Sequence, residues 1–219
     1  MPERLAIAVL ISGSGTNLQA IIDNIAARQI PCDIRLVLSN KASAYGLERA
    51  RNAGIPTCVL DHRKYSERED FDRDMHDRIE ASGANFVVLA GFMRILSTWF
   101  VSRYENRMIN IHPALLPEFK GLDTHTRVIE SGNPRHGATV HIVIPELDDG
   151  PNLLQGRIKI RPGESAEDLQ QRVHRVEHRI YPAVIEWLSQ GRLELANDGP
   201  WLDNEKLNES GEIIDYEDI

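Results

Sequence analysis

Leu5-Ala6-Ile7-Ala8-Val9-Leu10-Ile11-Ser12-Gly13-Ser14-Gly15-Thr16-Asn17 is the stretch whose reading decides the fold. An unbroken apolar run from Leu5 to Ile11 reads as a strand buried on both faces, as strands of parallel sheets are. The Gly-rich turn ends it. Leu18, Ile21, Ile22 and Ile25 then follow at helical spacing and predict a helix from Thr16 to Arg28. The same unit recurs. Strands are predicted over Ile34 to Leu38, Thr57 to Leu60, Phe86 to Ala90 and Met108 to Ile111. Helices are predicted over Ala44 to Ala53, Ser66 to Ser82 and Leu96 to Tyr104. This alternation marks an α/β fold with a doubly wound, mostly parallel sheet of Rossmann-like type.

Beyond residue 120 the pattern changes. Thr124 to Ser131 reads as a helix closed by Gly132. Ala138 to Ile144 and Leu153 to Ile160 alternate and predict antiparallel strands in the C-terminal part, joined by the loop from Pro145 to Pro151. Ser165 opens a long helix, with Asp168 three residues on and an apolar stripe of Val173, Val176, Ile180, Val184 and Trp187; Gly191 closes it. The remainder reads as short strand and acidic tail. The expected division is a single domain over 1–202 and an acidic C-terminal tail over 203–219.

Composition excludes several classes of function. With 219 residues, 42% of them hydrophobic, the chain can bury a core without disulfides or metals to staple it. The apolar run near the start is far short of the roughly 18 residues a membrane helix needs, so no membrane partner is expected. Cys32 and Cys58 make no disulfide framework and read as free thiols of a cytoplasmic protein. The net charge is −8, and the tail holds seven acidic residues against Lys206 alone, so the body is only mildly acidic. No basic stripe interleaved with aromatics is present, and no nucleic-acid partner is expected.

Five segments can carry chemistry. Ser12 to Asn17 follows a buried strand and opens a helix; free amides at a helix start and close backbone approach at glycines suit a phosphate, although the same residues also serve as a tight turn without a ligand. Asn110 and His112, two apart on a strand, point to the same side at its carboxyl end. An amide donor beside an imidazole suits a reaction that develops an oxyanion; a structural histidine at a strand end is the alternative. Asp148 and Asp149 lie on a loop bounded by Pro145 and Pro151, and form either a solvated acidic turn or a carboxylate partner for His112. On the long helix, His174, Glu177, His178 and Tyr181 share one face, but no third metal ligand stands out, and no metal is expected. Apolar residues of Gly91 to Leu96 either line a flat aromatic ligand or pack into the core.

Taken together and in order, these segments resemble the phosphoribosylglycinamide formyltransferases, folate-dependent enzymes of purine synthesis. The resemblance spans about residues 5–202. It rests on Val9 to Gly13 with Asn17 to Ile22, on Ser39 to Ala42, on Gly46 to Ala50, on Val88 to Ser97, and on Asn110-Ile111-His112-Pro113 with Leu115 to Pro117. It continues through His136-Gly137, Val140-His141, Glu146-Leu147-Asp148 and Glu177-His178 with Tyr181-Pro182. It implies transfer of the formyl group of 10-formyltetrahydrofolate, as cosubstrate, to the amine of glycinamide ribonucleotide. Asn110 and His112 would stabilise the oxyanion and move the proton, and Asp148 would keep His112 protonated. Gly15, Thr16 and Asn17 would hold the substrate phosphate, with Glu177 on its ribose or glycinamide part. Arg68, Met93, Arg94, Ile95, Leu96 and Asn110, with Ile144, Pro145, Glu146, Leu147 and Asp148, would line the folate pocket. The implied partners are small-molecule substrates alone, and the protein a monomer or homodimer.

Three departures from that pattern stand out. Ala114 replaces a Ser, Asp149 stands where a second Gly is usual, and Phe119 to Asp123 replaces a loop expected to carry Pro-Gly and a His before Thr-His. Of the rival formyl-folate enzymes, a deformylase would carry a further N-terminal domain, which is not expected with the first strand predicted from Leu5, and a methionyl-tRNA formyltransferase a C-terminal RNA-binding domain, where an acidic tail that would repel RNA is expected instead. A non-catalytic folate- or nucleotide-binding module is disfavoured because it has no need of Asn110, His112 and Asp148 together.

Overall fold

The computed structural model describes residues 4–28, 30–217 and 219. The Leu5 run forms β1 (Leu5–Ile11), and the helix that follows is α1 (Thr16–Arg28). Next come β2 (Cys32–Ser39), α2 (Gly46–Asn52), β3 (Thr57–Val59), α3 (Arg68–Ala81), β4 (Phe86–Leu89), α4 (Thr98–Arg103) and β5 (Met108–His112). The second part holds α5 (Thr124–Ser131), β6 (Arg135–Ile142), β7 (Asn152–Lys159) and α6 (Ala166–Ser189). Four short strands close the chain: β8 (Leu193–Ala196), β9 (Gly199–Leu202), β10 (Glu205–Lys206) and β11 (Glu212–Tyr216).

The main sheet has the order β11-β7-β6-β5-β4-β1-β2-β3. Strands β3 through β5 pair in parallel, β6 runs antiparallel to both its neighbours, and β11 is parallel to β7. The sheet is therefore mostly parallel with one reversed strand. β1 shows why its run is apolar throughout: Ile7, Val9 and Ile11 enter one core with α1, α2, α5 and α6, while Ala8 and Leu10 enter the other with α3 and α4. The chain moves from β1 to β2 and β3 on one side, then crosses to β4 and β5 on the other. The crevice at the carboxyl ends of β1 and β4 is thus the topological switch point, where open sheets of this kind bind ligands.

Several boundaries differ from those read in the sequence. The helix expected from Leu96 begins at Thr98, because Ser97 Oγ accepts the Phe100 N–H and caps it; Met93 to Leu96 stay in the loop. The strand expected over Ala138 to Ile144 starts earlier and ends at Ile142, where the Ile142 N–H turns to the Pro151 carbonyl. The stretch read as short strand and acidic tail contains β8, β9 and β10 as a separate antiparallel sheet. Its β11 then adds to the main sheet, with Asp215 accepting from Arg157 Nε at 3.0 Å and Nη2 at 2.8 Å. Residues 1–3 of the expected domain and Asp218 of the tail lie outside the described residues. Both cysteines are free thiols, and no helix among the described residues is long and apolar enough to cross a membrane.

Candidate active site

The first component is the turn from β1 into α1. Gly15 has φ of +70°, and a Cβ there would lie 2.5 Å from Gly46 Cα, so two glycines let the turn press against the start of α2. The Gln19 N–H already bonds the Gly15 carbonyl, which sets the helix start and leaves the preceding amides without intrahelical partners. No acidic side chain occupies the first turn of α1. Gly15, Thr16 and Asn17 thus stand at a helix start whose amides are free of acidic neighbours, an electrostatic setting that suits an anion. Asn17 reaches across to α6, donating from Nδ2 to Glu177 Oε2 at 2.9 Å. Glu177 is buried, and burial pushes its pKa up to about 7 against the lowering effect of Asn17. Asn17 Oδ1 is buried without a partner and can accept from a bound hydroxyl or amine.

The second component is a ring of four polar groups at the end of β5. His141 on β6 stands opposite Asn110 in the register. Its Nδ1 lies 2.9 Å from the Ile142 carbonyl, which only accepts, so the proton is on Nδ1. Burial holds His141 below the ordinary imidazole value and keeps it neutral. Its Nε2 therefore accepts from Asn110 Nδ2 at 3.1 Å. That bond fixes which way the Asn110 amide faces and leaves its second N–H for a ligand. His112 donates from Nε2 to the Phe119 carbonyl at 2.9 Å, and its Nδ1 lies at ion-pair distance, 3.4 Å, from Asp148 Oδ2. Asp148 Oδ1 lies 3.8 Å from His141 Nε2, which closes the ring. Asp148 is held inward by a backbone in the left-handed region, φ +51°, and its Oδ2 accepts the Gly121 N–H at 3.0 Å.

The residues expected to line a folate pocket fall into two groups. Met93, Ile95 and Leu147 expose large apolar side chains on the loops leaving β4 and β6, the strands flanking β5. Apolar side chains left uncovered beside convergent polar groups suit a flat organic ligand. Leu96, Ile144, Pro145 and Glu146 belong to the same two loops. Arg68 opens α3, and its charge and that of Arg94 both act on buried Asp72, which accepts the Ser97 N–H at 2.7 Å. The Asp72–Ser97 bond ties α3, which Arg68 opens, to the end of the Met93 loop. Arg94 Nε is buried without a partner, and its guanidinium lies 4.9 Å from the Phe71 ring.

Sequence reading did not assign roles to four contributors. His141 orients Asn110, and the Phe119 carbonyl and Gly121 amide meet His112 and Asp148. Ser12 joins the two loops, its Oγ accepting from the Met93 N–H at 2.8 Å and donating to Asn40 Oδ1 at 2.7 Å. Only His141 left a signal, as a polar residue inside an apolar strand; backbone groups leave none. On α6, the His174 and His178 rings stack with centroids 6.4 Å apart. Among the described residues no group of three or more His, Cys, Asp or Glu is placed to hold a metal ion.

Comparison with known proteins bears on what this arrangement does. The formyl transferase family matches residues 5–185. The chain is 48% identical to phosphoribosylglycinamide formyltransferase of Escherichia coli strain K12 over 95% of this chain and 99% of that protein. It is 44% identical to the Haemophilus influenzae protein of the same name over 94% of this chain and 97% of that protein. The solved structure of phosphoribosylglycinamide formyltransferase from Coxiella burnetii superposes with a TM-score of 0.93 at 47% identity, covering 97% of this chain and 100% of that chain. Fold, switch-point crevice and sequence agree, and the chain belongs to the formyl transferase family.

Proposed function

We infer that this protein transfers the formyl group of 10-formyltetrahydrofolate to the amine of 5′-phosphoribosylglycinamide, giving formylglycinamide ribonucleotide and tetrahydrofolate in purine synthesis. The observation that carries the reading is the meeting of Asn110, His112 and Asp148 at the end of β5, beside an anion-accepting helix terminus. The amine nitrogen attacks the formyl carbon, and a tetrahedral oxyanion forms. The free N–H of Asn110 and the imidazole of His112 stabilise that charge. Asp148 faces Nδ1 of His112 and holds the ring's orientation while Nε2 is held by the Phe119 carbonyl. The carbon–nitrogen bond to the folate then breaks, and the proton lost by the attacking amine passes to the departing folate nitrogen by way of the Asp148 carboxylate and its His112 partner. The amides of Gly15, Thr16 and Asn17 take the phosphate; Asn17 Oδ1 and Glu177 meet the ribose or glycinamide part.

In this reading the folate lies along Met93, Arg94, Ile95 and Leu96 and the 144–148 loop, with Arg68 and Arg94 meeting its carboxylates. The catalytic unit is residues 1–202, and 203–219 is an acidic appendage that extends the sheet edge. The two unpaired thiols support a cytoplasmic site of action. The test is formyl release from 10-formyltetrahydrofolate, followed spectroscopically, with and without glycinamide ribonucleotide. Turnover that requires the ribonucleotide supports the transferase. Loss of formate without any acceptor would make the protein a hydrolase.

A further inference from the structure

Three consecutive residues of the segment between β5 and α5 each meet one residue of the catalytic face. The Phe119 carbonyl accepts from His112, and the Gly121 N–H donates to Asp148. Between them Lys120 Nζ reaches Asp149 Oδ1 at 2.5 Å. The outer two contacts are made by backbone groups that any sequence supplies. The central one needs a cation at 120 and an anion at 149.

We propose that Lys120 and Asp149 are a positioning pair for the formyl-transfer reaction. Their ion pair seats the Phe119–Gly121 segment on the Asp148 loop, and so sets the Phe119 carbonyl on His112 and the Gly121 amide on Asp148. The proposal rests on the roles given to His112 and Asp148 above. The far side of the segment is already fastened. Arg127 Nη1 donates to the Lys120 carbonyl at 2.7 Å and to the Leu122 carbonyl at 3.2 Å, and its guanidinium lies 5.5 Å from the Phe119 ring. Asp149 is equally constrained, between Asp148 in the left-handed region and Gly150, whose position admits no Cβ against the Ile142 carbonyl. What remains to be set is the join between the two pieces. The side chains are 36% and 53% exposed, so the pair is open to screening by salt and its effect is a modest factor, about two- to five-fold.

The test uses five proteins: wild type, Lys120→Ala, Asp149→Ala, the double variant, and the reversed pair Lys120→Asp with Asp149→Lys. Two quantities are read at low salt and at about 0.5 M salt: amide exchange of the Gly121 N–H, which needs no substrate, and kcat for formyl transfer. Each single variant should exchange faster and turn over about two- to five-fold more slowly. The double variant should be no worse than either single one, and the reversed pair should recover. Salt should slow the wild type and leave the double variant unchanged. Additive losses, no recovery in the reversed pair, or equal salt responses would overturn the proposal. Coupled exchange at Gly121 with no formyl transfer in any of the five would sink the functional reading and leave the pairing standing.

Discussion

At the scale of single residues, the site separates groups that would act on the reacting atoms from groups that aim them. Asn110 offers one free N–H because His141 takes the other, so Asn110→Ala removes an oxyanion donor and should lower kcat about 10²- to 10³-fold. His112→Ala should cost about 10²- to 10⁴-fold, with the fold retained by circular dichroism. Full turnover in the His112 variant would end the proton-transfer assignment. Glu177 carries a separate signature. Burial raises its pKa from an ordinary 4.5 to about 7, so between those values the folded protein holds a proton that the unfolded chain has released. Its contribution to stability is therefore complete below pH 4.5 and is lost as pH rises through 7. Glu177→Gln does not titrate. Its stability relative to wild type should rise by about 2 to 3 kcal/mol from pH 5 to pH 8, read from denaturant midpoints. A difference that stays flat with pH would show that Glu177 is not the buried acid described.

At the scale of elements, loops carry the chemistry and regular elements hold them in place. α6 brings Glu177 to Asn17 only because it packs tightly on the sheet, and its start is secured by Ser165, whose Oγ accepts the Asp168 N–H at 3.1 Å. The loop between β6 and β7 is fixed at Gly150, where an added Cβ would overlap the Ile142 carbonyl. Gly150→Ala must displace backbone two residues from Asp148. A shift of about 1 Å there should lower kcat about 10²-fold with little change in the folded signal. Wild-type kcat in that variant would show that the loop relaxes without moving Asp148. Regular elements were largely legible from periodicity: β1, α1 and α5 fall where apolar spacing puts them. Boundaries at loops were less so. Whether residues 93–96 coil or continue a helix depends on the Ser97 cap, a local bond that apolar spacing does not report.

At the scale of the molecule, the sheet brings together groups far apart in the chain, and the C-terminal segment is bound into it. Arg172 on α6 is buried and donates to Glu164 Oε1 and Oε2 at 2.9 Å, to the Lys159 carbonyl at 3.1 Å and to the Ile219 carbonyl at 3.0 Å. One side chain thus joins β7, α6 and the last residue. Arg172→Ala leaves the Glu164 carboxylate buried and uncompensated, and should cost about 3 to 5 kcal/mol in thermal or chemical unfolding. A loss below about 1 kcal/mol would mean the pair behaves as a surface salt bridge. None of this was visible in the acidic stretch 203–219, which read as a tail because the partners of Asp215, Arg157 and Arg135, are on other strands and that of Asp203, Arg192, lies before β8.

The sequence alone determined the alternating architecture, the Gly-rich turn after the first strand and the placing of Asn110 and His112 on one side of a strand, because each depends on neighbours within a few residues and follows from the strand and helix periods. It also offered Asp148 as one of two readings of an acidic loop and Glu177 as part of a polar helix face, and only the resemblance to a family gave each a role. The tertiary structure alone decided that Asn17 meets Glu177, that His141 orients Asn110, that the Phe119 carbonyl holds His112, and that Lys120 meets Asp149. Those contacts span from 7 to 160 residues of chain and depend on strand order, register and the path of loops. Such distances are set by packing the whole sheet, and no local pattern of residues encodes them.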